Sequence, residues 1–154
     1  MNPVTVHMNG DIALPYHGIG EEFLSKTMIR ILTLLGRSSD TVALILCTDE
    51  EIRAVNEQYR NRDYPTDVIT FAYNEVPFPG EELDSNHAGD IFLSMDRALE
   101  QSREYDIPLE NELIRLLVHS VLHLYGYDHE TGAENAKRMY AKEDEVISRL
   151  TGTG

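Results

Sequence analysis

The chain is poor in cysteine, in long apolar runs and in positive charge, and each shortage excludes a class of protein. Its one cysteine, Cys47, rules out an intrachain disulfide, and the apolar run before it predicts a buried thiol in a strand. No stretch approaches the ~18 apolar residues of a membrane span. The start of the chain lacks the basic residues and apolar core of a secretory signal. We therefore expect a cytoplasmic protein with no membrane association.

Basic residues are scarce: the chain has 13 Lys and Arg and 27 Asp and Glu. Its net charge is therefore −14. This balance argues against nonspecific binding to nucleic acid. The charge is uneven, however, since residues 26–62 carry six basic and five acidic groups. A near-neutral surface of this kind, beside a divalent metal ion, can still receive a phosphate.

The hydrophobic pattern predicts a single α+β domain over residues 1–154, with helices packed on one small mixed sheet. The length is enough to bury a core without disulfides. Predicted strands cover 4–8, 41–47, 67–73 and 88–94, and predicted helices cover 21–35, 48–59, 95–105, 109–125 and 134–150. The long apolar helix 109–125 is expected to be central. The acidic, Pro-containing segment 74–87 is predicted to be a mobile surface loop.

Three of the six histidines, His119, His123 and His129, fall within eleven residues at spacings of four and six. Four residues turn a helix by about 400° and advance it by about 6 Å, so the first two share one face. Gly126 stands where a helix-ending glycine would reverse the chain and bring the third over that face. A single histidine is usually a core or surface residue, and we interpret the scattered His7, His17 and His87 as ordinary surface or loop residues.

The clustered histidines instead predict a metal site at the C-terminal end of the central helix, with the three-nitrogen ligand set of a catalytic zinc. Their spacing matches the zinc-protease pattern H-E-x-x-H-x-x-G-x-x-H. Ser120 replaces the glutamate that acts as general base in those proteases, and Met139 lies in a later helical pattern rather than a Met-turn. The sequence therefore keeps the ligand spacing of a metal hydrolase but lacks the general base of the protease.

Two runs, HSVLHLYGYDH at 119–129 and NEQYRNRDYPTDVITF at 56–71, resemble the signatures of one family, the YbeY endoribonucleases of bacterial rRNA maturation. The family patterns are H-G-x-L-H-L-x-G-Y-D-H and N-x-x-Y-R-x-x-D-x-P-T-D-V-L-S-F. A strand-opening Gly89-Asp90-Ile91 also fits, and the blocks follow the family's order. Ser120 replaces a family glycine that is not a metal ligand, so that departure concerns local packing. The resemblance covers essentially the whole chain.

The resemblance implies a zinc-dependent endoribonuclease that prefers single strands and acts in rRNA processing and ribosome quality control. One zinc per chain would be held by His119, His123 and His129, and Arg60, the arginine of the Y-R pair, would be catalytic. A guanidinium suits the charge that develops on non-bridging phosphate oxygens. Without the resemblance, Arg60 would be interpreted as a surface residue ending a helix. Implied partners are single-stranded rRNA and the 30S subunit or a ribosome-associated protein or GTPase.

Several other side chains are weaker candidates. Asp67 and Asp128 could orient the imidazoles, although a turn or cap role is the alternative for each. Arg62 could contact substrate. The tyrosines could stack on unpaired bases, but they are more often part of the core rim; they are Tyr59, Tyr64, Tyr73, Tyr125 and Tyr127.

Two other functions compete with RNA cleavage. One is a metzincin-like metalloprotease, which Ser120 disfavours. The other is a non-enzymatic ribosome assembly factor with a structural zinc. The residue types do not separate an activated water from the RNA 2′-hydroxyl as nucleophile, and they leave the general base, the cleavage site, the native metal and the oligomeric state open.

Overall fold

Four strands and five helices make up the part of the chain that a computed structural model describes, residues 3–72, 86–128 and 131–152. In chain order they are β1 (Val4–Met8), α1 (Glu21–Leu34), β2 (Thr41–Cys47), α2 (Asp49–Arg60), β3 (Val68–Ala72), β4 (His87–Ser94), α3 (Met95–Glu104), α4 (Leu109–Leu124) and α5 (Ala133–Thr151). None of the described helices is both long and apolar enough to cross a membrane. The predicted order of elements is confirmed, and no boundary differs from the prediction by more than one residue.

The sheet is mixed, with strand order β1-β2-β4-β3. β1, β2 and β4 run parallel, while β3 pairs antiparallel with β4 and forms an edge. One face carries the main core, and the other carries a smaller cluster beneath α2 that includes Ile52, Ile69 and Phe71. Cys47 belongs to this smaller cluster, where burial raises the pKa of its thiol to about 11, as expected of an inert structural cysteine.

The central position of α4 is confirmed. More than half of its side chains are buried, and it packs against α1, α3, α5, β3 and β4. Its last residue, Leu124, lies beside Gly89 of β4, where a Cβ would come within 2.8 Å of Leu124 Cδ2 and 2.2 Å of the Phe71 carbonyl oxygen. Only glycine allows this approach. The end of α4 is therefore held tightly against the β3–β4 edge of the sheet.

One histidine prediction is wrong. His87 is a half-buried residue of β4, not a surface or loop histidine: its Nδ1 lies 3.0 Å from Thr41 Oγ1 and its Nε2 2.9 Å from Asp90 Oδ1. The pairing of β4 with β2 begins at His87, opposite Thr41 and one residue earlier than predicted. His7 and His17 are exposed, as expected. The predicted loop lies, apart from residues 86–87, outside the described residues.

Candidate metal and phosphate site

The C-terminal half of α4 presents two imidazoles to one cavity. His119 and His123 are one turn apart, and their Nε2 atoms are 3.1 Å apart. The rings meet nearly edge to face, with centroids 4.6 Å apart. Both rings are partly buried, because neighbouring residues of the same helix face the core.

A carboxylate from α5 orients the first imidazole. His119 Nδ1 is hydrogen-bonded to Glu143 Oε1, and both side chains are largely buried, with exposures of 21% and 12%. A carboxylate oxygen accepts hydrogen bonds, so an imidazole that donates to it from Nδ1 has its lone pair on Nε2. That lone pair is directed towards His123. This is the partnership that commonly fixes the tautomer of a metal-binding histidine.

Glu143 was not anticipated from the sequence, although a signal for it exists. The buried residues of α5 include Met139 and Val146, and Glu143 lies four residues after the first and three before the second. It therefore occupies the core-facing side of an otherwise polar helix. A lone acid on an apolar stripe is typical of a side chain with a specific buried partner.

The chain reverses immediately after α4, as predicted. Gly126 adopts a left-handed φ of 92°. Its N–H donates to the His123 carbonyl at 3.1 Å, and the Tyr127 N–H donates to the Leu122 carbonyl at 3.1 Å, which together form a Schellman motif. His129, the third predicted ligand, lies outside the described residues. Within them, no group of three His, Cys, Asp or Glu side chains is arranged to hold a metal ion.

The two described imidazoles nevertheless fit a zinc site. Two nitrogens bound to one tetrahedral zinc at about 2.0–2.1 Å lie about 3.3–3.4 Å apart, close to the 3.1 Å between the two Nε2 atoms. His119 already presents its lone pair there.

Arg60 lines the same cavity as the two imidazoles. The cavity measures about 580 Å³, and both imidazoles, Arg60 and Arg62 line it. Arg60 Nη2 donates to the Thr70 carbonyl at 2.9 Å, and its guanidinium carbon lies 4.8 Å from the centre of the Phe71 ring. These contacts hold the last side chain of α2 on β3. The fold thus brings two predicted site elements together from segments almost 60 residues apart.

The loop between α2 and β3 is fixed by residues of the same sequence block. Asn61 ends α2 in a left-handed conformation, with φ of 57°. The buried Asn56 amide donates to the Tyr64 carbonyl at 2.9 Å. Tyr64 is about half exposed at the cavity, which suits stacking on a base. Tyr59 instead packs edge-on against Phe71 in the core rim, and Tyr73 lies outside the described residues.

Both candidate aspartates, Asp67 and Asp128, line the cavity with both imidazoles. Asp67 Oδ1 accepts from the Val68 N–H at 2.8 Å, which is the turn role we weighed as its alternative. Ser120 is fully buried and donates to the Leu116 carbonyl at 2.7 Å. It faces the core, so the protease's general base has no counterpart at this position.

The Glu143 contact makes a testable prediction. Glu143→Gln should lower the zinc affinity about 10- to 100-fold, because the amide is a weaker orienting partner for the His119 ring. The dissociation constant can be measured by competition with a chromogenic chelator. Glu145→Gln, an exposed change on the same helix, is the control and should leave the affinity unchanged. Equal affinities for the two variants would show that Glu143 only packs against His119.

Comparisons with known proteins agree on one family. A family model described as Endoribonuclease YbeY matches residues 16–151. A protein named Endoribonuclease YbeY from Syntrophotalea carbinolica is 43% identical over 133 residues, which cover 86% of this chain and 87% of that protein. Its namesake from Geobacter metallireducens is 38% identical over 139 residues, 90% of this chain and 91% of that protein. The solution structure of TM1509 from Thermotoga maritima superposes with a TM-score of 0.63 at 28% identity, covering 97% of this chain and 89% of that one.

Proposed function

The chain belongs to the YbeY endoribonuclease family, and on that premise we propose that it is a zinc-dependent endoribonuclease of the cytoplasm. Its substrate is single-stranded ribosomal RNA, cleaved during rRNA maturation and ribosome quality control. The observation that carries the proposal is the shared cavity of His119, His123 and Arg60. The imidazoles offer nitrogen ligands for a metal ion, and Arg60 offers a guanidinium for a phosphate.

The histidines have the first role in this proposal. His119 and His123, with His129, hold one zinc per chain. When bound, zinc lowers the pKa of a water molecule towards ~7 and polarises a phosphoryl oxygen. Glu143 keeps the His119 proton on Nδ1, so that Nε2 stays available as a ligand.

Arg60 has the second role. Cleavage of a phosphodiester increases the negative charge on the non-bridging oxygens, and a planar guanidinium can donate two parallel hydrogen bonds to them. The Thr70 carbonyl and the Phe71 ring position Arg60 before substrate arrives. A positioned donor stabilises the transition state without a cost of reorganisation at that moment.

Metal analysis combined with RNA cleavage tests the proposal. The purified chain should contain about one zinc and cut structured rRNA in its unpaired segments. A chelator should abolish cleavage, and added zinc should restore it. Casein is the comparison substrate. Cleavage of casein but not RNA would establish a protease, whereas a tightly held metal with neither activity would establish an assembly factor with a structural zinc.

The charge of the chain predicts weak binding to free RNA. A net charge of −14 repels a polyanion, so few phosphate contacts form and the slope of log K against log salt is shallow, at ~0.7 per neutralised phosphate. We propose that the 30S subunit or a ribosome-associated protein or GTPase presents the RNA. The measurement is oligonucleotide binding across a salt series, with and without 30S particles. Tight binding to naked RNA with a steep slope would contradict presentation by a partner.

A further inference from the structure

A second cavity lies behind the Gly126 turn, between the end of α1 and the first half of α5. Its volume is about 380 Å³, within the range of ligand sites in proteins. Three cationic side chains line it, Arg37 after α1 and Arg138 and Lys142 on α5. The sequence places these residues about 100 positions apart, and nothing in their local pattern suggests that they meet.

The charge of this cavity is opposite to that of the chain. Three of the 13 basic residues meet there, in a protein of net charge −14. Among the described residues, no carboxylate forms an ion pair with Arg37 or Arg138, while Lys142 Nζ lies 3.1 Å from Glu145 Oε2. Asp128 is the one acid in the lining. The cavity therefore favours an anion.

Arg37 is held in place before any ligand binds. Its guanidinium carbon lies 4.8 Å from the centre of the Tyr125 ring. The Tyr125 hydroxyl donates to Asp40 Oδ2 at 2.6 Å, and this bond orients the ring. The oriented ring fixes the plane of a guanidinium that can bind two oxygens of one phosphate.

The second cavity adjoins the first. Asp128 lines both, and Gly126 and Tyr127 line the second cavity and also a small cleft that contains His123 and Arg60. An extended polyanion seated at Arg60 can therefore follow residues 126–128 into the cationic cavity. From this continuity we propose that Arg37, Arg138 and Lys142 form a second phosphate-binding site, which takes a neighbouring phosphate of the RNA strand whose scissile bond lies at His119, His123 and Arg60. This inference rests on the function proposed above.

Binding of a fluorescein-labelled single-stranded oligoribonucleotide to the full chain tests the site. Arg138→Ala should weaken binding about tenfold, the effect of losing a charged hydrogen bond, and should reduce the salt slope by ~0.7. Lys137→Ala is the matched control, because it removes the same charge from an exposed position of α5 outside the cavity. Arg138→Lys should retain most of the affinity. If Arg138→Ala and Arg37→Ala both bind like Lys137→Ala, the second site does not exist.

Cleavage assays separate this inference from the proposed function. A dinucleotide has one phosphodiester and cannot reach the second cavity, so wild type and Arg138→Ala should cleave it equally. A longer oligonucleotide should be cleaved with a higher kcat/KM by wild type only. If Arg138→Ala shows the same gain in kcat/KM on the longer oligonucleotide as wild type, the second site is overturned. The endoribonuclease function is not affected by that result. A wild type that binds RNA through Arg138 but cuts nothing would overturn the endoribonuclease function and leave the second site standing.

Discussion

Alanine in place of His123 should leave the protein with almost no zinc and no RNA cleavage. The change removes one of the two imidazoles whose Nε2 atoms lie 3.1 Å apart at the end of α4. A ligand that binds only the folded state at 100 times its dissociation constant stabilises that state by about 2.7 kcal/mol. For a domain of this size, losing this stabilisation lowers the Tm by about 5–10 °C. Atomic absorption and thermal unfolding measure the two effects.

The control must separate loss of metal from loss of packing, since His123 is partly buried. Wild-type protein treated with a chelator should unfold at the same temperature as the variant, and the variant should no longer respond to added zinc. His7→Ala, at an exposed position of β1, should keep its metal and its Tm. Full zinc occupancy in His123→Ala would remove this residue from the ligand set.

Replacing Arg60 with alanine should lower the rate of RNA cleavage by about 10²–10³ and leave the zinc content unchanged. Removing one positioned donor from a developing oxyanion typically costs ~2.7–4 kcal/mol of transition-state stabilisation. Fold stability should fall much less, because Arg60 is an exposed residue and its contact with the Phe71 ring contributes only about 0.5–1 kcal/mol. Single-turnover cleavage and metal analysis on the same preparation measure the effect.

Two further substitutions sharpen the Arg60 experiment. Arg60→Lys should recover only part of the rate, because an ammonium group lacks the two-pronged geometry of a guanidinium. Arg53→Ala removes the same charge from the same helix, at a site whose partners are the exposed Glu50 and Asp63, and should cleave RNA like wild type. An Arg60→Ala variant with wild-type turnover would show that Arg60 is only a surface charge.

Much of the local structure could be predicted because its causes lie within a few residues. Thr48 and Glu51 form a capping box that starts α2, and Gly126 ends α4 in the conformation expected of a C-terminal glycine. The spacing of four residues between His119 and His123 was enough to place both rings on one face of a helix. The alternation of buried and half-buried residues along β2 likewise belongs to a strand covered on both faces.

The assembled site depends on contacts between distant segments, which no local pattern specifies. The apolar stripe of α5 places Glu143 on the inward side, but only the packing of α5 on α4 makes His119 its partner. Arg60 reaches the histidine cavity because β3 returns antiparallel along β4 and carries the Thr70 carbonyl to that edge. Arg37 and Arg138 meet for the same kind of reason. Local sequence determined the elements and the spacing of the two described histidines, whereas strand order and helix packing, which depend on burying all the apolar faces together, decided which charges surround them.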